Sequence, residues 1–335
     1  MIVEQDVSLK AYNTFGIDAT AKKLYRVQTI EDVQEILPVL QNGALVLGGG
    51  SNVLLSSDVD VVVINEITGK HIIAQDERNI TIEFGAGEVW HNCVEWAVLH
   101  NYGGIENMAL IPGTIGAAPI QNIGAYGVEV ESCVVSVLYI DITSGEVKEL
   151  DAASCKFGYR DSIFKHELKH RVFITSVKLK LSKQPIVSTT YKDVEQELLK
   201  SGIIHPTIHD VFTAVVQIRS RKLPNPKQLG NAGSFFKNPV ISIEHFEELV
   251  GKYPAIPSYN AGDGFKKVPA AWLIEQAGFK GKQVGNTGTH VTQPLVLVNY
   301  GNANGREILA LASEIQSVVY RTFAIQLEME VNIIQ

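Results

Sequence analysis

One stretch limits the possible folds of this 335-residue chain more than any other: Ile111-Pro112-Gly113-Thr114-Ile115-Gly116-Ala117-Ala118-Pro119-Ile120-Gln121-Asn122-Ile123-Gly124-Ala125-Tyr126-Gly127. It contains four glycines, two prolines and no charged side chain. A loop that faced water would be polar. A long loop of small and apolar residues belongs where backbone must pack closely against a flat partner. That partner is either a planar ligand or the sheets on each side of a buried crossover.

A second glycine run, Gly48-Gly49-Gly50-Ser51-Asn52, directly follows an apolar strand expected over 44–47. Consecutive glycines allow positive φ, so successive N–H groups can converge on phosphate oxygens, and Ser51 and Asn52 can add hydrogen bonds. The same residues also make an ordinary tight turn. The run is neither GxGxxG nor a Walker loop, because no Lys-Ser or Lys-Thr pair follows it.

Around these loops, periodicity predicts strands over 24–28, 44–47 and 61–64, with a helix over 30–40 opened by Thr29. A hairpin is expected over 71–74 and 79–84, then a helix over 89–99. Strands follow over 134–142, 146–150 and 172–181, and a helix over 207–222 that ends in Arg219-Ser220-Arg221-Lys222. Leu223-Pro224-Asn225-Pro226 then marks a domain boundary. Beyond it, helices are expected over 243–252, 268–277 and 304–322, with a strand over 295–298. The end of the chain alternates: Ile325, Leu327, Met329 and Val331 face one way and Gln326, Glu328 and Glu330 the other. Mixed strands with segregated helices predict an α+β fold.

The net charge of -7 supplies no basic field for nucleic acid, so an anionic ligand needs locally converging Lys and Arg. Cys93, Cys133 and Cys155 are far apart and show no zinc spacing, so no metal is expected and the thiols read as small buried hydrophobes. The N-terminal residues lack a signal-peptide pattern, and no apolar run approaches the roughly 20 residues of a membrane span. A cytoplasmic protein with no membrane partner, acting as a monomer, is the expectation.

The two glycine segments together resemble the FAD-binding fold of the vanillyl-alcohol-oxidase and para-cresol-methylhydroxylase type. At finer grain the chain resembles the UDP-N-acetylenolpyruvoylglucosamine reductase family nearly end to end. The resemblance begins at Ser8-Leu9-Lys10-Ala11-Tyr12-Asn13-Thr14-Phe15-Gly16 and runs through both glycine segments. It continues through Phe157-Gly158-Tyr159-Arg160-Asp161-Ser162-Ile163-Phe164-Lys165 and Arg221-Lys222-Leu223-Pro224. Gly230-Asn231-Ala232-Gly233-Ser234-Phe235-Phe236-Lys237-Asn238-Pro239 and the alternating terminus complete it.

The resemblance implies an α+β chain with an added α/β substrate domain. The domains are expected at 1–69 plus 325–335 and at 70–222 for FAD, and at 223–324 for substrate. FAD would lie between the first two, and the terminal strand would return to the first. The cofactor residues implied are Gly48, Gly49, Gly50, Ser51, Asn52, Ile111, Pro112, Gly113, Thr114, Gly116, Ala117, Gln121, Asn122, Gly124 and Ala125. No His or Cys lies in 111–127, so a non-covalent flavin is expected.

The implied reaction carries hydride from NADPH through flavin N5 to C3 of an enolpyruvyl UDP-sugar, with a proton added at C2. Ser234 reads as a turn serine by spacing alone, and the family places its proton donor there. Arg160 is either a fork for the substrate carboxylate or an ion-pair partner of Asp161. Alternation does not choose between Glu328 and Glu330; the resemblance selects Glu330, with Met329 where the family often has Pro. Tyr191 matches a tyrosine on a substrate-covering loop. Lys222, Asn238 and Gln293 match residues for the UDP part, and Tyr126 one against flavin and substrate. Two other functions keep the glycine loops: an oxidase of the same fold, recognised by rapid reoxidation in air, and a binding module without turnover.

Overall fold

The computed structural model describes residues 1–335 as two compact units. The first contains Met1–Val7, Ala21–Gly49 and Val59–Arg221, and the second Ser8–Thr20, Gly50–Asp58 and Lys222–Gln335. Val27, Val33 and Val63 share one apolar cluster with Ile140, Ile142 and Phe173, so the first strands and the later antiparallel sheet bury each other's side chains.

In the first unit, Thr20–Val27 and Leu45–Leu47 flank Val59–Asn65 in parallel, and Ile2–Ser8 completes a four-stranded sheet. Thr29 opens the next helix: its hydroxyl accepts from the Asp32 N–H at 3.1 Å, and the Asp32 carboxylate accepts from the Thr29 N–H at 3.2 Å. The predicted single helix is two, Ile30–Glu35 and Leu37–Gln41. Pro38 has no N–H for a continuing bond but suits a first turn, so a new helix starts there. Thr29→Ala is expected to cost about 1 kcal/mol, read as a lower urea midpoint.

The second sheet of this unit is antiparallel, in the order Val147–Asp151, Val134–Asp141, Val172–Ser182, Asn79–Gly85, Lys70–Gln75. Ile80, Ile82 and Phe84 point from it into a core shared with Trp90, Val94 and Ala97 of the helix Trp90–Leu99. Val211, Val215 and Ile218 of the helix Ile208–Lys222 join the same core. Periodicity leaves several elements unpredicted, among them the strands Ile2–Ser8 and Gly230–Ser234 and the helix Lys192–Lys200, which buries Val194, Glu197 and Leu198.

The second unit is built on a sheet in the order Gly230–Ser234, Val296–Asn299, Thr287–Thr289, Gln283–Val284. The helix Gly305–Phe323 buries Ile308, Leu311, Ala312, Ile315 and Val319, and Asn304 caps it in a capping box with Glu307. Residues 325–331 keep the predicted alternation, with Ile325, Leu327 and Val331 buried, yet form no ladder of their own beyond a bridge from Met329 to Phe236. The terminal strand proper is Asn332–Ile334, paired in parallel with Val53–Leu55. No helix is long and apolar enough to cross a membrane.

Candidate functional site

Close backbone approach explains the glycines of the first run. A Cβ on Gly48 would collide with Thr114 Oγ1, and one on Gly49 would sit 2.9 Å from Gly113 Cα. The turn therefore packs directly on the start of the 111–127 loop. Gly50, which begins the second unit's part of the run, has φ +57°, and a Cβ there would strike the Tyr12 carbonyl oxygen. Gly50→Ala combines a backbone collision with left-handed strain, so a loss of about 3 kcal/mol or more is expected, measured by chemical unfolding.

The 111–127 loop is held from both sides. The Gly113 carbonyl accepts from the Trp90 N–H at 3.0 Å, Ile115 N–H donates to Glu88 and Gly116 N–H to Ala86. Gly116 lies against Ala86, while Ile115, Ala118 and Ile123 are part of the core. Ile111, Gly113, Ala117, Gln121, Gly124, Ala125 and Tyr126 keep partial exposure, and Pro112 is exposed.

Asn122 is fully buried with φ +42°. Its Nδ2 donates to Glu129 Oε2 at 2.9 Å and to the Gly158 carbonyl at 3.0 Å, and its Oδ1 accepts from the Glu131 N–H. Its side chain is thus consumed in joining the loop to the Gly158–Asp161 turn. Arg160 sits in that turn at φ +55° and donates to the carbonyls of Gly124 at 2.9 Å and Asn122 at 3.5 Å. Its Nη1 also lies 3.8 Å from Glu129 Oε1, within ion-pair range. The adjacent Asp161 pairs instead with His166 at 2.8 Å.

Left-handed backbone at bulky residues is costly, and here Leu110, Asn122, Tyr126 and Arg160 all adopt it within one region. Two residues that the sequence reading did not single out hold this region together. His91 Nδ1 accepts from the Leu110 N–H at 3.1 Å, and burial pushes the imidazole pKa down, which favours the neutral acceptor form. Arg219 donates to the Leu110 carbonyl at 3.3 Å, and the Tyr126 phenol beside it favours its charged form. Its Nε is shut off from solvent with no partner, and desolvation lowers its pKa. Burial likewise raises the Tyr126 phenol. The ring of Tyr126 meets that of Tyr191 edge-on, with centroids 5.2 Å apart. Tyr191 directly precedes the helix Lys192–Lys200, and Glu197 of that helix takes a forked pair of bonds from Arg221 at 2.8 and 3.2 Å.

In the second unit, Ser234 ends a strand that pairs it with Val296, after a bulge at Ala232 and Gly233. Asn231 pins that bulge: its Oδ1 accepts from the Gly233 N–H at 2.9 Å, and its Nδ2 donates to Leu229 and Pro224 carbonyls. The next residues lie beside the C-terminal segment. Glu330 N–H donates to the Phe235 carbonyl at 2.8 Å, and Lys237 N–H to the Glu328 carbonyl at 2.9 Å. Ser234 and Glu330 therefore occupy neighbouring extended segments, while Glu328 is tied to Lys237 Nζ at the surface. Asn52 donates to the Glu330 carbonyl at 3.3 Å, and its own carbonyl accepts from Asn332. Asn238 Oδ1 accepts from the Ala270 N–H at 2.9 Å. The Lys222 carbonyl accepts from Thr292 Oγ1 at 3.2 Å, which brings Lys222 beside the turn that carries Gln293. No group of His, Cys, Asp or Glu is arranged to hold a metal.

The comparisons agree along the chain. Residues 21–151 match the FAD binding domain family, and residues 225–334 the family described as UDP-N-acetylenolpyruvoylglucosamine reductase, C-terminal domain. A protein of Flavobacterium johnsoniae named UDP-N-acetylenolpyruvoylglucosamine reductase is 49% identical over 337 residues, covering 100% of both chains. One of the same name from Pseudomonas putida is 43% identical over 334 residues, covering 98% of each. The crystal structure of UDP-N-acetylenolpyruvylglucosamine reductase from Thermus caldophilus superposes with a TM-score of 0.68 at 25% identity, covering 100% of both chains. The fold is thus the FAD-binding one of the vanillyl-alcohol-oxidase type, and the chain belongs to the UDP-N-acetylenolpyruvoylglucosamine reductase family.

Proposed function

We propose that the chain reduces the enolpyruvyl group of UDP-N-acetyl-3-O-(1-carboxyvinyl)-glucosamine to give UDP-N-acetylmuramate, with FAD as carrier and NADPH as reductant. This is a step of peptidoglycan precursor synthesis. The observation that carries the reading is full-length identity of 49% to a reductase of this name, together with Ser234 and Glu330 on neighbouring segments.

The residues present fit a flavin dinucleotide. Gly48, Gly49 and Gly116 allow backbones to approach where a side chain would intrude. Beside Gly50, whose carbonyl accepts from the Thr14 N–H, Thr14 Oγ1 is buried with no protein partner. In the other unit, the partnerless Nε of Arg219 offers a donor next to the loop. Gly48 to Asn52 and 111–125 are the cofactor segments on this reading.

These segments would hold FAD, which would supply the hydride chemistry linking NADPH to C3. The protein's part is to hold charge and move a proton. Ser234 donates its hydroxyl proton to C2, so that hydride and proton together add across the double bond. Arg160 forks onto the substrate carboxylate and steadies the negative charge that develops there. Glu330 orients the proton transfer from the segment beside Ser234. Lys222 meets the diphosphate, and Asn238, Gln293, Tyr126 and Tyr191 position the rest of the UDP-sugar.

The test is anaerobic NADPH oxidation by the flavin-loaded protein, with and without the enolpyruvyl UDP-sugar. Turnover only with the UDP-sugar is expected. A flavin that NADPH reduces, that the UDP-sugar fails to reoxidise and that air reoxidises at once would make the chain an oxidase instead.

A further inference from the structure

Residues 185–190 run without regular structure between the strand Val172–Ser182 and the helix Lys192–Lys200. Val187 leans on the core, while Ile186 is 97% exposed. One hydrogen bond fastens this segment to the rest of its unit: the Ser188 carbonyl accepts from Asn107 Nδ2 at 2.9 Å. The same nitrogen donates to the Tyr126 carbonyl at 3.2 Å. Asn107 is 1% exposed and lies in the short turn Glu106–Met108, which packs under the 111–127 loop through Met108 and Ala109.

An amide nitrogen has two hydrogens in a fixed fork, and here each goes to a carbonyl from a different part of the chain. One carbonyl belongs to Tyr126, held at φ +50°. The other lies three residues before Tyr191, whose ring meets that of Tyr126 at 86°. A core asparagine serving only its own turn would bond to neighbours in sequence. This one ties the end of the glycine loop to the segment that leads into Tyr191.

We propose that Asn107 is a positioning residue: by donating to Tyr126 and Ser188 at once, it sets Tyr191 against Tyr126 for the UDP-sugar. The inference rests on the proposed reaction, in which both tyrosines contact that substrate. Its chemistry is specific. An aspartate has the same shape but no donor, so it would face two carbonyls with like charge.

The test uses flavin-loaded N107D beside the wild type. The KM for the UDP-sugar is expected to rise about tenfold, the scale of lost buried hydrogen bonds, with a smaller change in kcat and no loss of FAD content. Trypsin is expected to cut faster after Lys183 and Lys192 with no UDP-sugar present. N107A, which removes the donor without adding charge, gives the same comparison if N107D does not accumulate. Unchanged KM and unchanged cleavage would overturn the proposal. So would a lower thermal midpoint with unchanged cleavage, which leaves Asn107 a core residue only. If the wild type fails to turn over the UDP-sugar, the proposed reaction falls, while the cleavage rates still decide whether the tether exists.

Discussion

Ser234→Ala is expected to lower kcat for the enolpyruvyl UDP-sugar by roughly 10²- to 10⁴-fold, the range for losing a positioned proton donor. The first half of the reaction, reduction of bound flavin by NADPH, is expected to continue at the wild-type rate. The structure gives reasons for so clean a split. Ser234 is the last residue of a strand, fixed opposite Val296, and the bulge before it is pinned by Asn231. Phe235 and Phe236 behind it are buried, so the turn keeps its shape without the hydroxyl. Stopped-flow absorbance of the flavin measures both halves: bleaching by NADPH persists, and recovery on adding the UDP-sugar slows. Equal slowing of both halves would remove Ser234 from proton transfer and make it a residue of the general site.

Much of the scaffold is legible because its signals are local. The capping box at Thr29, the hairpin Lys70–Gln75 and Asn79–Gly85, and the stripe of the helix Gly305–Phe323 each depend on spacing within a few residues. The helix Lys192–Lys200 escapes that reading because Glu197 sits on its buried side, where a carboxylate is tolerable only once Arg221 arrives from another helix. Arg219 and Asn107 are illegible for the same reason. Their partners lie on segments distant in sequence, and nothing in their own neighbourhood distinguishes them from surface residues. The glycines show a subtler limit. Their need for space is readable, but Gly48 and Gly49 face Thr114 and Gly113, so one glycine loop accounts for part of the demand of the other. Arg219-Ser220-Arg221-Lys222 stand together in sequence as the basic end of one helix, yet the structure gives Arg219 to the loop and Arg221 to Glu197.

Arg160 carries the second large effect. Arg160→Met is expected to lower kcat/KM for the UDP-sugar by about 10²- to 10³-fold, as removal of one fixed donor to a developing anion does elsewhere. Arg160→Lys is expected to recover little of this. The guanidinium already donates to the carbonyls of Gly124 and Asn122 and pairs with Glu129 at 3.8 Å, so its direction is fixed by several groups at once. A lysine ammonium could satisfy a carbonyl or a substrate oxygen, but it lacks the planar fork to hold both in one geometry. The residue's backbone adds to the case. Left-handed conformation at an arginine persists only where surroundings impose it, and here the paired Gly158 and Asp161, Lys165 bonded to the Arg160 carbonyl, and Asn122 impose it. Strain so supported is consistent with a side chain that must aim at one point. If its task were only to brace the loop, Arg160→Lys would keep kcat/KM while both variants lowered the thermal midpoint. Steady-state kinetics of the two variants beside their melting curves separates aim from bracing.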